Sequence, residues 1–161
     1  MRGTRNASHL GRCTMTTIHA SAVLAGARAV LIRGPSGSGK SSLAYALIRA
    51  AGSGALPFAR LIGDDRLHIE ATHGRLLVRP AEALKGLIEI RGVGIRHLAY
   101  EAMARVGLVV DLAAADAARL PKVESAVTDV AGISLPRLAV APGMDPFPPL
   151  YAALRTEDSG A

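Results

Sequence analysis

The sequence predicts a single α/β domain with a mixed β-sheet organised around a phosphate-binding P-loop, and three observations carry that prediction. Short apolar runs of strand type alternate with turn residues along most of the chain. One longer segment, Ser42 to Ala51, has the Ala and Leu content and the spacing of a packed helix. Between the strand-like Ala29-Val30-Leu31-Ile32 and that helix stands Gly34-Pro35-Ser36-Gly37-Ser38-Gly39-Lys40-Ser41, which reads G-x-x-x-x-G-K-S.

Length and composition agree with one domain. The 161 residues are enough for a sizeable core. Half of them are hydrophobic but only 3% are aromatic, with no Trp, so the core must be aliphatic. The single cysteine, Cys13, excludes an internal disulfide and suits a reducing compartment. The longest apolar stretch, Ser21 to Ile32, is interrupted by Arg28 and falls short of the roughly 20 residues of a membrane span. Met1 to Thr17 carries Arg2, Arg5 and Arg12 without an apolar core, unlike a signal peptide. A cytoplasmic protein without membrane association is expected. The net charge of +6 and pI near 10.2 favour anionic ligands or an acidic partner surface. No nucleic-acid partner is expected, because the basic residues are scattered and no aromatic platform accompanies them.

Along the chain, residues 1–15 lack periodicity and read as a flexible arm, with Met15 an alternative natural start. The domain proper is expected over 16–155, followed by a flexible tail at 156–161, with no repeats and no second domain. Thr17 to Leu24 and Arg28 to Arg33 read as strands split by the turn Ala25-Gly26-Ala27. The helix ends in Gly52-Ser53-Gly54. Arg60-Leu61-Ile62, Arg66 to Glu70 and Arg75 to Val78 follow as strands, the last two flanking a hairpin turn at His73-Gly74. Leu87 to Ile90 and Val106 to Leu112 are further strands, and Ala113 to Leu120 is helix or loop. Five prolines from Pro136 to Pro149 break up the rest, leaving one strand near Leu138-Ala139-Val140 and a short helix at Leu150 to Arg155.

In the G-x-x-x-x-G-K-S segment the glycines let backbone N–H groups approach phosphate oxygens, Lys40 reaches the β- and γ-phosphates, and Ser41 offers a hydroxyl to Mg²⁺. Phosphoryl transfer also needs metal ligands and a group to take the acceptor's proton. Two carboxylate sites compete for that work. Asp64-Asp65 follows Arg60-Leu61-Ile62, and Asp111 closes the apolar run Gly107 to Val110. Spacing alone does not choose between them. Glu89, flanked by Ile88 and Ile90, either faces solvent or meets a cation. Arg91 and the Gly92-Val93-Gly94 turn form a loop where backbone can approach a ligand. His68, His73 and His97 show no zinc-site spacing.

Ile18-His19-Ala20-Ser21, the P-loop, Leu61-Ile62-Gly63-Asp64-Asp65-Arg66-Leu67 and Leu87-Ile88-Glu89-Ile90-Arg91-Gly92-Val93-Gly94-Ile95, in that order, resemble the catalytic domain of HPr kinase/phosphorylase in its short form. The likeness covers about residues 16–143. It implies an HPr kinase/PEP carboxykinase-like fold and an ATP-dependent serine kinase of HPr, a phosphocarrier of the phosphotransferase system. It also implies a homo-hexamer, and in some members the reverse phosphorolysis of phosphoserine to pyrophosphate. Carried over by position, Gly34, Pro35, Ser36, Gly37, Ser38, Gly39, Lys40, Ser41 and Ser42 hold ATP, and Lys40 neutralises the moving phosphoryl group. Ser41 and Glu89 are the implied Mg²⁺ ligands. Asp65 is the implied acid and base, supported by Asp64, while His19, Arg91 and Arg119 complete the catalytic set and Asp111 becomes a structural strand end. Ser42 stands where longer members often have an acid, and no basic stretch follows Pro142-Gly143, which favours kinase over phosphorylase activity. A small-molecule P-loop kinase and a non-catalytic ATP-binding regulatory module are the alternatives.

Overall fold

The computed structural model describes residues 14–156; the expected arm up to Ser8-His9-Leu10 and beyond to Cys13, and the tail from residue 157, lie outside the described residues. The chain runs β1 (Met15–His19), β2 (Ser21–Ala25), β3 (Arg28–Arg33), α1 (Lys40–Gly52), β4 (Ala59–Gly63), β5 (Arg66–Thr72), β6 (Arg75–Pro80), β7 (Leu87–Ile90), β8 (Gly94–His97), β9 (Ala104–Asp111), β10 (Val127–Val130), β11 (Ile133–Ala139) and α2 (Phe147–Arg155). Nine strands form one mixed sheet in the order β1-β5-β6-β9-β3-β2-β4, with β11 also alongside β9 and β10 outside it; β7 and β8 form a separate hairpin. Among the described residues no helix is long and apolar enough to cross a membrane.

The central strand β3 is apolar because both its faces are covered. Val30 and Ile32 join the cluster under α1 and α2, whereas Ala29 and Leu31 join a second cluster on the opposite face with Leu67, Leu76 and Val78. Helix α1 turns Leu43, Ala44, Leu47 and Ala50 inward, the spacing of one helical face. Leu47, fully buried at its middle, contributes about 2 kcal/mol relative to exposure. The prolines at the start of α2 occupy its first turn, where no intrahelical N–H partner is lost.

Several expected elements form where the sequence places them, including the β5–β6 hairpin, whose turn residues His73 and Gly74 both have positive φ (48° and 70°). Three expectations change. The run from Thr17 to Leu24 is two strands, broken at the buried Ala20: β1 pairs with β5, and β2 lies between β3 and β4. The loop expected at Arg91 to Gly94 is a tight turn closed by Ile90 to Val93, with Gly92 at φ 80°, and Gly94 already opens β8, which folds back on β7. The Pro-rich region holds a full hairpin, β10–β11, turned at Ala131-Gly132. Pro136 sits where β11 passes from pairing with β10 to pairing with β9, so it breaks neither ladder.

Candidate active site

The segment from Gly34 to Gly39 forms the turn between β3 and α1, with Gly39 capping the helix at φ 97°. No side chain caps that helix, so its first backbone N–H groups stay available to an anion. Lys40 bends over the turn, its Nζ donating to the carbonyls of Gly34 (3.0 Å) and Pro35 (3.1 Å). A cleft of about 420 Å³ opens beside the turn, between it and the β7–β8 hairpin.

The two adjacent acids after β4 point in opposite directions. A side chain at Gly63 would meet Pro80 within 3.2 Å, so glycine there lets the end of β4 close against β6. Arg66 N then donates to Asp64 O (2.9 Å) around Asp65, whose φ is 69°: a γ-turn of the rarer hand, which Asp tolerates better than most residues. That reversal buries Asp64 and leaves Asp65 facing solvent. Asp64 accepts hydrogen bonds from Ser21 Oγ (2.5 Å to Oδ1), from Ser41 Oγ (2.8 Å to each oxygen) and from the Glu89 backbone N (3.2 Å to Oδ2). One carboxylate thus ties β2, the start of α1 and β7 together. Asp65 Oδ1 lies 3.8 Å from His19 Nδ1, because the antiparallel register sets His19 opposite Arg66.

Of the residues singled out from sequence, Ser36, Gly37, Gly39, Lys40, Ser41, Ser42, Asp64, Asp65, Glu89 and Arg91 line this one cleft. Gly34 and Pro35 supply the carbonyls that hold Lys40, Ser38 lines a neighbouring cavity, and His19 lies beside Asp65 without lining the cleft itself. Arg119 is not among them: it is exposed on the loop after β9 and lines neither this cleft nor the neighbouring cavity. Asp111, the rival carboxylate, is engaged elsewhere by Arg33 and Arg137. Glu89 is exposed and lines the cleft while its neighbour Ile88 packs into the core, so the acid faces solvent there.

Ser21 is the functional candidate the sequence reading passed over. It is fully buried and donates to Asp64, and the available signal was a lone hydroxyl opening an otherwise apolar strand. For Mg²⁺ the donor set is suitable: a hydroxyl, Ser41, beside the carboxylates of Asp64 and Glu89. Among the described residues no group of three His, Cys, Asp or Glu converges as a dedicated metal cage. Magnesium in phosphoryl-transfer sites typically takes one or two carboxylates and completes its shell with phosphate and water.

The family model described as "HPr Serine kinase C-terminal domain" matches residues 13–142. The chain belongs to the HPr serine kinase C-terminal domain family. Curated relatives include the HPr kinase/phosphorylase of Streptococcus thermophilus (strain ATCC BAA-491 / LMD-9), 42% identical over 81 residues, covering 50% of this chain and 24% of the relative. The HPr kinase/phosphorylase of an Exiguobacterium species (strain ATCC BAA-1283 / AT1b) is 34% identical over 114 residues, covering 66% of this chain and 34% of the relative. The matched segments thus span about a quarter to a third of those relatives' lengths. In fold, the chain is similar to the Hpr(Ser) kinase/phosphatase from Coxiella burnetii, with a TM-score of 0.68, 24% identity and coverage of 86% of this chain and 93% of that one. The HPr serine kinase C-terminal domain expected from the signature segments is therefore the family, and its mixed α/β fold is the one observed.

Proposed function

We propose that this domain transfers the γ-phosphoryl group of ATP to a serine hydroxyl of HPr or an HPr-like phosphocarrier. The observation that supports it is the meeting, in one open cleft, of Lys40 and Ser41 with the inward Asp64 and the outward Asp65. Backbone N–H groups at the start of α1 face the phosphates, and the Lys40 ammonium exchanges its two carbonyl partners for phosphate oxygens. As the serine oxygen attacks the γ-phosphorus in line, its proton passes to the Asp65 carboxylate, the new O–P bond forms, and the bond to the ADP oxygen breaks. His19 steadies Asp65 from the side. Arg91 borders the cleft where charge moves from donor to acceptor. Ser41, Glu89 and Asp64 would hold Mg²⁺, which when bound draws charge from the β- and γ-phosphate oxygens. In phosphorolysis an oxygen of inorganic phosphate would bond to the phosphoserine phosphorus as the serine O–P bond breaks, a protonated Asp65 would give its proton to the serine oxygen, and pyrophosphate would leave.

Arg119 enters this reading through the family resemblance alone. So does a homo-hexamer, for which the exposed Leu120, Val123 and Val127 offer surface to cover. A cytoplasmic location goes with ATP and a phosphocarrier as substrates. A folded protein acceptor suits a cleft that no inserted lobe covers among the described residues, whereas a small-molecule kinase needs such a lid.

The test is to incubate the protein with ATP, Mg²⁺ and HPr from the same organism and to locate phosphate by mass spectrometry. Transfer to serine is expected, and Asp65→Ala should lower the rate by about 100-fold or more while ATP binding persists. Absence of serine phosphate in the wild-type reaction overturns the reading.

A further inference from the structure

A second cavity, of about 530 Å³, lies on the other flank of the P-loop. Gly37 borders both spaces, so the two lie against the same loop. The second is walled by Ser38, by Leu112 and Ala113 after β9, and by the segment from Val140 to Pro146 after β11. Its position follows from topology. Strands β3, β9 and β11 are parallel neighbours, so the P-loop and the two following loops leave the same edge of the sheet. Outside the carboxyl ends of parallel strands is where α/β sheets characteristically bind ligands. The wall is braced by backbone hydrogen bonds from Leu112 N to Arg33 O (2.9 Å), Val140 N to Asp111 O (2.9 Å) and Ala114 N to Val140 O (2.8 Å).

Charge separates the two spaces. The Asp64 cleft offers Lys40 and Arg91 to phosphates, but the second cavity has no Lys, Arg or His in its lining and one carboxylate, Asp145. A phosphate would be repelled there; a neutral ring and sugar would not. Apolar side chains of Leu112, Val140, Pro142 and Met144 provide the faces a base can lie against. At the end nearest the P-loop, the buried Ser38 hydroxyl has no hydrogen-bond partner among the described residues, although a buried hydroxyl ordinarily has one. Asp145 Oδ1 accepts from Phe147 N (3.0 Å), and its other oxygen remains for a sugar hydroxyl.

We propose that this cavity is the nucleoside subsite of the phosphoryl donor, with the base between the loops after β9 and β11 and the ribose beside Ser38 and Asp145. The proposal rests on the reading that the P-loop holds ATP, and it adds the residues that tell a nucleotide from a bare phosphate chain. It is tested by calorimetric titration of the wild-type protein, Ala141→Phe and Met144→Glu with MgATP and, separately, with magnesium tripolyphosphate. Ala141→Phe fills the cavity; Met144→Glu adds a second carboxylate from an exposed position and leaves the core untouched. The wild type should bind ATP at least tenfold more tightly than tripolyphosphate. Both variants should lose about tenfold in ATP affinity and keep their tripolyphosphate affinity. Equal wild-type affinity for the two ligands, or full ATP affinity in a folded Met144→Glu protein, overturns the subsite while leaving the P-loop reading intact. Binding of neither ligand by the wild type overturns both.

Discussion

Asp64 and Asp111 both end apolar strands of the same sheet, one after Leu61-Ile62-Gly63 and the other after Leu108-Val109-Val110, yet their surroundings give them opposite capacities. Asp64 accepts from three donors, all neutral, the Ser41 hydroxyl lying equally close to both its oxygens, and it makes no salt bridge with any described residue. Asp111 is gripped by Arg33 (2.7 Å from Nε, 2.8 Å from Nη2) and Arg137 (2.6 Å from Nε), and Arg137 also holds Asp116. Burial pushes the Asp111 carboxyl upward, but the hydrogen bonds and charges of the two guanidinium groups outweigh it and hold the carboxyl below the usual range. The hydrogen bonds that Arg137 donates to Asp116 and Asp111 in turn push its guanidinium up. The difference teaches that a carboxylate's partners, more than its place on a strand, decide whether it can serve a cation. Asp111 is already neutralised and braces the strand that feeds the P-loop. Asp64 is oriented but not neutralised.

The largest effect should come from removing the charge of Asp64 alone. Asp64→Asn keeps an acceptor for Ser21 and nearly the same volume, so the fold should persist. The rate of HPr phosphorylation should fall about 100-fold, with the Mg²⁺ needed for half-maximal rate raised, as for groups that orient or ligate a metal. Asp111→Asn assayed alongside should stay within a few-fold of wild type. Equal losses in both would erase the distinction between the two acids.

Stability should divide the same pair the other way. Asp111→Asn leaves two guanidinium groups around an uncharged amide, at a cost of about 3 kcal/mol, which for a domain of this size corresponds to roughly 6–12 °C in Tm. The acid dependence has a definite sign. Because the folded carboxyl titrates below its unfolded value, its contribution is complete above about pH 4 and is lost as pH falls through the lower folded value. The Tm gap between wild type and Asp111→Asn should therefore be constant near neutrality and shrink below about pH 4. A gap unchanged at pH 3 would mean that packing, not charge, holds the loop after β9.

How far this comparison was legible in the sequence depends on range. The P-loop, the helix and the β5–β6 hairpin were readable because their signals are local: glycine spacing, helical periodicity, a His-Gly turn. Glu89 and Arg91, singled out through the signature, both line the cleft. The choice between Asp64 and Asp111 was settled in sequence by family resemblance only, since Arg33 and Arg137 reach Asp111 across 78 and 26 positions and Ser21 reaches Asp64 across 43. Pairing over such separations leaves no periodic trace. Pro136 hid β10–β11 for a related reason: proline's effect depends on which ladder its missing N–H faces, and only the neighbouring strands decide that.

The smallest and sharpest contrast lies in two hydroxyls. Ser21 Oγ donates to Asp64 at 2.5 Å from a fully buried position, and Thr128 Oγ1 accepts from Arg33 at 3.3 Å beside Asp111. Ser21→Ala removes one of the donors that orient an unneutralised carboxylate, so about 1 kcal/mol of stability should go, with a several-fold rise in the Mg²⁺ requirement. Thr128→Val removes a long contact from a guanidinium that keeps its carboxylate, and should leave the Mg²⁺ dependence where it was. Measuring thermal unfolding and Mg²⁺ titrations on both variants isolates orientation from stability. If Ser21→Ala lowers Tm but does not move the Mg²⁺ curve, Asp64 is held by Ser41 and Glu89 N alone, and the hydroxyl of Ser21 serves only to satisfy its own burial.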